Sequence, residues 1–322
     1  MNAKSKIEVV SYDPRWSEIF ETEKSVILKA LGNNFEAIYH IGSTAVPGLA
    51  AKPKIDIIAV AKNRKKAIAD LKKAGYSYDG EWNIPLKCGF TKRDDRKINL
   101  HVFFDKDHPE IELNLLFRDY LKSNPDAREE YTAIKTKILQ DETSQQKLGK
   151  ILIPVYTIKK RKFIDDILGK IGFNRLRVLK CLTDDEWDTA KNLRQKYFFD
   201  NQKKQDPYFW TFNHKDHEHF VLYLGIKIIG YAHIQLLHES RSALGIIAIA
   251  AESRNHDFGS QFLSIIEEWL KIHDCKTIHV LSDEKSLNFY KKHGYTEISL
   301  SAYRQIHKIY QFSQLLPGGN VR

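Results

Sequence analysis

Cysteine is scarce in this chain of 322 residues, and the three present (Cys88, Cys181 and Cys275) are widely separated and odd in number. That usage excludes a disulfide framework and offers no cysteine-based metal cluster. It fits reduced thiols in a cytoplasm. Long apolar runs are missing too. No stretch approaches the roughly 18 apolar residues of a membrane span. Residues 1–6 lack the apolar segment of a signal peptide, so the expected setting is cytoplasmic, with no membrane partner. There is no internal repeat, no low-complexity tract and no long block of one charge, which argues against disorder. What is there suffices for real cores: 42% hydrophobic and 11% aromatic residues, in a length that suits two domains.

The formal net charge of +10 is uneven. Residues 1–170 hold 31 Lys and Arg against 24 Asp and Glu; residues 171–322 hold 20 against 17. The first half is therefore the better candidate for an anionic partner such as a nucleotide or RNA.

Periodicity divides the chain at a short hinge, Gly169-Lys-Ile-Gly172. Before it, Asp13-Pro14 opens a helix that carries Trp16, Phe20, Ile27 and Leu31 and ends at Gly32. Strands are expected at 35–41 and 54–60, a helix at 64–73, and a hairpin from 86–91 and 97–104. Helical patterns follow at 110–121, 125–140 and from 144 to about 168. After the hinge come a strand at 177–182 and a helix at 187–197. Thr183-Asp-Asp-Glu186 has the spacing of a capping box ahead of that helix. Strands at 220–224, 227–237 and 244–250 precede a helix over 262–271, a strand at 277–281, another helix, and a last strand near 303–310. His214, His217 and His219 fall in what reads as a polar, solvated loop, with no carboxylate or cysteine spacing for a metal.

Two motifs in the second half carry chemistry. Arg254-Asn255-His256-Asp257-Phe258-Gly259-Ser260 is a basic, glycine-bearing turn opening a helix, where backbone amides cradle phosphates. Ser286-x-x-Phe289-Tyr290-x-x-x-Gly294-Tyr295 sets a tyrosine on a helix after a strand, where a phenol can protonate a leaving thiolate. Residues from about 175 to 312 resemble the GNAT superfamily of acyl-coenzyme A N-acyltransferases. The resemblance implies acetyl-CoA as cosubstrate and an amine, small-molecule or protein, as acceptor. It implies coenzyme contacts from Ile249, Arg254, Asn255, Phe258, Gly259, Ser260, Asp283 and Phe289, with Tyr290 as acid. Glu252 and His233 are the two candidate bases. Two positions depart from the pattern in the acidic direction: Asp257, where the family has glycine, and Asp283, where it commonly has asparagine. A carboxylate beside a diphosphate repels it, and a non-glycine residue strains a turn that needs positive φ.

In the first half, His40-Ile-Gly42-Ser43-Thr44-Ala-Val-Pro47-Gly48 leads to Lys52-Pro53-Lys54-Ile-Asp56. Phe117-Arg118-Asp119-Tyr120, Tyr131-x-x-x-Lys135 and Tyr156-x-x-x-Lys160 follow. This half resembles the GrpB (UPF0157) family, which implies a nucleotidyltransferase-like fold. Nucleotidyl transfer normally needs paired carboxylates for metal ions. Here Lys54 takes the place of the partner of Asp56, and the facing strand offers Asn99 and His101. A two-metal site is disfavoured. One Mg2+ on Asp56, His101 and Glu112 is a weaker alternative, and the expectation is a site without metal. A phosphorylated ligand held by Gly42, Ser43, Lys52, Asp56 and Arg118 is the preferred expectation.

The expected architecture is therefore a two-domain α/β (α+β) protein. A nucleotidyltransferase-like α+β domain over 1–170 precedes a mixed sheet flanked by helices over 171–322, read as an N-acetyltransferase. Alternatives are a nucleotide- or RNA-binding protein with degenerate sites, and a bifunctional enzyme with metal-dependent nucleotidyl transfer.

Overall fold

The computed structural model describes residues 8–94, 97–141, 143, 146–148, 153–200, 203–282, 284–298 and 310–315. They form two compact units, 1–177 and 178–322. Among the described residues no helix is long and apolar enough to cross a membrane.

In the first unit, helix α1 (Arg15–Leu31) buries Trp16, Phe20, Ile27 and Leu31 on one stripe. Asp13 accepts from the Arg15 backbone N–H at 2.9 Å, and Gly32, at φ +50°, ends the helix. Strands β1 (Phe35–Ile41) and β2 (Ile55–Ala61) pair antiparallel. Asn63 caps α2 (Arg64–Lys73) by accepting from Lys66 N–H at 2.9 Å. Strands β3 (Ser77–Gly80), β4 (Cys88–Lys92) and β5 (Ile98–Phe103) complete a sheet of order β1-β2-β5-β4-β3. The β4–β5 hairpin matches expectation; β3 was not expected.

Alternation along β2 sets the two faces. Ile55, Ile57 and Ala59 join the core under α1 and α2. Ile58 and Val60 face the other way with Ile41, Phe103 and Ile111, and Asp56 lies on that second face. There the chain adds α3 (Pro109–Ser123), α4 (Pro125–Gln140), a two-residue ladder of β6 (Lys147–Leu148) and β7 (Ile153–Pro154), α5 (Val155–Lys159) and α6 (Arg161–Lys170). The single helix expected from 144 to 168 is thus two helices preceded by a ladder. Val46, Leu49, Leu121, Tyr131, Phe163 and Ile167 pack as a further core.

The second sheet has the order β13-β14-β12-β11-β10-β9-β8. Its members are β8 (Leu176–Lys180), β9 (His217–Leu224), β10 (Lys227–Leu237), β11 (Arg241–Ile249), β12 (Thr277–Ser282), β13 (Thr296–Ile298) and β14 (Tyr310–Leu315). The last strand expected near 303–310 is found at Tyr310–Leu315; 303–309 lie outside the described residues. Helix α7 (Asp184–Arg194) starts at the expected capping box. Helix α8 (Phe258–Ile272) links β11 to its parallel neighbour β12, a pairing that needs such a crossover. It buries Phe262, Leu263, Ile266, Trp269 and Leu270 against the face that carries Phe220. Helix α9 (Glu284–Lys292) follows β12.

Candidate functional site

The parallel pair β11–β12 is short. It runs from Arg241 opposite Thr277 to Leu244 opposite Val280 and then stops, while β11 continues along β10 to Ile249. Gly245 is the extra residue of a bulge at this point, between the pairs His233–Ile246 and Ile234–Leu244. A Cβ on Gly245 would lie 3.0 Å from His233 Nδ1, so a side chain here would press on the imidazole. The strands therefore part beside His233, leaving one edge of β11 without its parallel partner.

The basic turn stands at the end of that edge. Ile249 closes β11, and a short turn, Ala251–Ser253, leads to the N-terminus of α8. Asn255 (φ 65°) and Asp257 (φ 60°) are left-handed. Asp257 is exposed and makes no side-chain capping bond. Its carbonyl accepts from Gln261 N–H at 3.2 Å. The amides of Phe258, Gly259 and Ser260 belong to the first helical turn, which has no intrahelical acceptors. Arg254 is exposed but folds back along its own turn. Its Nε donates to Ile249 O at 3.0 Å, and its guanidinium lies 4.7 Å from the Tyr197 ring centroid. Tyr197 Oη also accepts from Ala251 N–H at 2.7 Å, so Tyr197 pins the turn from both sides. Nothing in the local sequence singled it out, because it lies 54 residues upstream of Ala251.

The second motif meets the first through Phe289. A Cβ on Gly259 would be 3.6 Å from Phe289 and 3.8 Å from Ile249, so these three residues pack together. Tyr290 is 6% exposed and lies edge-on to Phe289 and Tyr295. Asp283 lies outside the described residues.

The two candidate bases differ in setting. Glu252 is exposed and paired with Lys227 at 3.3 Å; its own backbone and that lysine hold its carboxyl below the usual range. His233 is buried. Its Nε2 lies 2.7 Å from His217 Nδ1, and its ring stacks on His219 at 4.7 Å. Burial, aided by His219 and His217, pulls His233 down to about 2, so the ring is neutral in the fold. This corrects the expected solvated histidine loop. His217 and His219 open β9 and are each 3% exposed. His219 bonds Tyr231 Oη at 2.7 Å and Thr211 O at 3.0 Å. Buried Arg194, paired with Asp206 at 2.5 Å, lies over Phe212 beside them. Tyr208, Phe209 and Trp210 remain exposed on the turn that covers this cluster.

In the first unit, Gly42 (φ 71°) turns the chain against Asp56: a Cβ there would meet Asp56 Oδ2 at 2.9 Å. Asp56 Oδ1 accepts from Asn99 Nδ2 at 2.7 Å. The weaker alternative, one metal ion on Asp56, His101 and Glu112, finds no assembled set. His101 is bonded to Lys87 at 3.2 Å, and Glu112 is paired with Arg175. Among the described residues no group of three His, Cys, Asp or Glu could hold a metal. Arg118 is also engaged elsewhere, donating to His40 O at 2.9 Å and to both carboxylate oxygens of Asp119. Ser43 and Lys52 each stand beside a lysine outside the expected ligand set, Lys135 and Lys160 respectively. Lys135 Nζ is 3.4 Å from Ser43 Oγ, and Lys52 and Lys160 share the Tyr156 ring. The two Tyr-x-x-x-Lys spacings were the signal for Lys135 and Lys160.

Comparison with known proteins gives matches in both halves. Residues 6–170 match the GrpB protein family, and residues 182–295 match the acetyltransferase (GNAT) family. A UPF0157 protein of Halalkalibacterium halodurans is 39% identical over 147 residues, spanning 44% of this chain and 73% of that protein. The crystal structure of GrpB from Enterococcus faecalis covers 51% of this chain and 99% of its own, at 29% identity and TM-score 0.43. A GNAT-family acetyltransferase from Staphylococcus aureus covers 44% and 99%, at 15% identity and TM-score 0.36.

Proposed function

Because the chain belongs to the GrpB family and carries a GNAT acetyltransferase domain in its second half, we propose that it moves an acetyl group from acetyl-CoA to an amine. The observation that carries this is the parting of β11 from β12 just ahead of the α8 N-terminus. The gap offers free strand edge to an extended, amide-bearing coenzyme arm. The helix start offers amides to its diphosphate. The residues for that diphosphate are Phe258, Gly259 and Ser260, with Ile249, Asn255 and Phe289 lining the approach. Arg254 acts by holding the turn in shape. Tyr290 is the acid for the departing thiolate, a role a phenol can fill by giving its proton to the leaving sulfur.

Proton removal from the amine falls to His233 rather than Glu252. His233 adjoins the gap through Gly245 and is uncharged, whereas the Glu252 carboxylate is tied to Lys227. Tyr208, Phe209 and Trp210 offer an aromatic lip for an apolar or cationic acceptor, small molecule or protein side chain. The GrpB half is read as binding a phosphorylated ligand near Gly42, Ser43, Lys52 and Asp56. Free Cys88, Cys181 and Cys275 suit a cytoplasmic setting.

Thermal melting of the full chain tests the coenzyme. Millimolar acetyl-CoA raises the midpoint through preferential binding to the folded state; an unchanged midpoint overturns the proposal. Tyr290→Phe keeps that shift but lowers amine-dependent CoA release about 100-fold or more, scored against a panel of polyamines, amino-acid esters and lysine peptides.

A further inference from the structure

The first unit gathers four lysines that, among the described residues, make no ion pair of their own. Lys52 and Lys54 come from the loop before β2, Lys135 from α4, and Lys160 from the junction of α5 and α6. Lys52 Nζ lies 3.7 Å and Lys160 Nζ 4.8 Å from the centroid of the buried Tyr156 ring. Lys135 is 1% exposed. Its ammonium donates to Ala50 O, lies 3.4 Å from Ser43 Oγ, and sits 4.5 Å from the Tyr131 centroid. Among the described residues none of the four makes an ion pair, whereas the neighbouring Lys159 is paired with Asp141. Asp56 is the carboxylate shared by Lys52, Lys54 and Lys160, and one of its oxygens is already bonded to Asn99; at Lys54 Asp79 adds to it and Arg93 opposes it. Ammonium groups withdrawn from water without counter-ions are costly, and mutual repulsion adds to the cost.

We propose that Lys52, Lys54, Lys135 and Lys160 form the seat of a phosphoryl or diphosphoryl group carried by a small molecule, with Ser43 and Asn99 at its edge, and that binding draws protons from solvent. This rests on the phosphorylated-ligand reading above and sharpens it. Burial pulls Lys52 down to about 7, with Lys160 and Lys54 pushing the same way and Asp56 opposing. Burial, with Lys160, brings Lys135 to about 7 as well, and burial lowers Lys54 and Lys160. Before a ligand binds, Lys52 and Lys135 are therefore partly deprotonated near neutrality. A multiply charged anion restores the ammonium forms, so its affinity falls as pH rises. A small molecule fits better than a polynucleotide, because Lys135 is buried and the others are half-buried, rather than standing along an exposed stripe. Lys54 in place of a second carboxylate then has a purpose. It turns a position that would help hold metal ions for transfer into one that holds the phosphate itself.

Calorimetric titration of the full chain with pyrophosphate and with ATP, both without divalent metal, tests this. At pH 8 the heat should change with the ionisation enthalpy of the buffer, reporting uptake of roughly one proton or more per ligand. From pH 6.5 to 8.5 the affinity should drop at least about tenfold. Lys160→Met should raise the melting temperature of the unliganded protein, by removing a buried like charge, and should abolish pyrophosphate binding. ATP binding without pyrophosphate binding would show recognition of the nucleoside instead and overturn the seat. Binding with no proton uptake overturns the proton-coupled seat but leaves the phosphorylated-ligand reading standing. Failure of every phosphate to bind overturns both. Salt-sensitive RNA binding unaffected by Lys160→Met would assign the surface to a polynucleotide and overturn the small-molecule proposal.

Discussion

Asp257 concentrates the conflict between backbone and charge in the acetyltransferase half. Its φ of 60° and ψ of 11° are ordinary for glycine and strained for a residue with a Cβ. Its carboxylate is exposed, so the charge near an incoming diphosphate is screened rather than buried. Asp257→Gly removes both penalties. At about 6 Å in a water-like dielectric, one charge pair is worth roughly 0.7 kcal/mol. Coenzyme should therefore bind about threefold more tightly to Asp257→Gly, with larger gains at low salt. Titration calorimetry at two ionic strengths checks this; equal affinity at both would show that the carboxylate does not face the ligand. The sequence showed the substitution and the need for positive φ. It could not show Tyr197, which reaches the turn only through tertiary packing.

Elements were legible where one physical cue dominated. Thr183-Asp-Asp-Glu186 does cap α7: Thr183 Oγ1 accepts from Glu186 N–H at 3.3 Å, and Glu186 Oε2 accepts from Thr183 N–H at 2.9 Å. Hidden from sequence was the other carboxylate oxygen, which accepts from Tyr223 Oη at 3.0 Å and ties the helix to β9. Thr183→Ala should cost about 1 kcal/mol, as a lost cap. Glu186→Ala should cost about 3 kcal/mol, because the part-buried N–H groups of Leu182 and Thr183 and the buried Tyr223 hydroxyl lose this acceptor together. Equal urea-midpoint shifts for the two variants would contradict the central role of Glu186. Where cues conflicted, polarity misled. His217 and His219 read as solvated loop because histidine is polar, yet cross-strand pairing with Gln235 and His233 buries them. The 144–168 stretch kept a helical period, but Ile153–Pro154 lies in a ladder before α5 begins. The parting of β11 and β12, on which the coenzyme proposal stands, has only Gly245 as a local trace, since strand separation is a property of neighbours.

Across the whole molecule, buried bases bias the folded state toward neutral side chains. Burial lowers His40 to about 4 and His233 to about 2, and holds His101 well below 6.5. It lowers Lys52, Lys87 and Lys135 to about 7. In each case the unfolded chain takes up a proton at higher pH than the folded one does. Stability is therefore lost as pH falls, first through the lysine window from about 10.5 to 7, then through the histidine window below 6.5. Buried Tyr131, Tyr156, Tyr231 and Tyr295 act in the opposite sense above pH 10, because their phenols are raised and the unfolded chain ionises first. The two trends place the maximum near pH 10 rather than at neutrality. Lys87 should contribute strongly, since it is 1% exposed and its nearest partners are the His101 ring nitrogen at 3.2 Å and the Trp82 face at 4.1 Å. Each fully deferred proton steepens the curve by about 1.4 kcal/mol per pH unit. Urea unfolding from pH 5 to 10 should thus show midpoints that climb through pH 8. Lys87→Met should flatten the climb between pH 7 and 9 while raising stability at pH 7, because a methionine fills the same space without a charge to neutralise. A curve that peaks at pH 6 to 7 in the native protein would mean that these lysines keep their protons on folding, and with them a counter-charge.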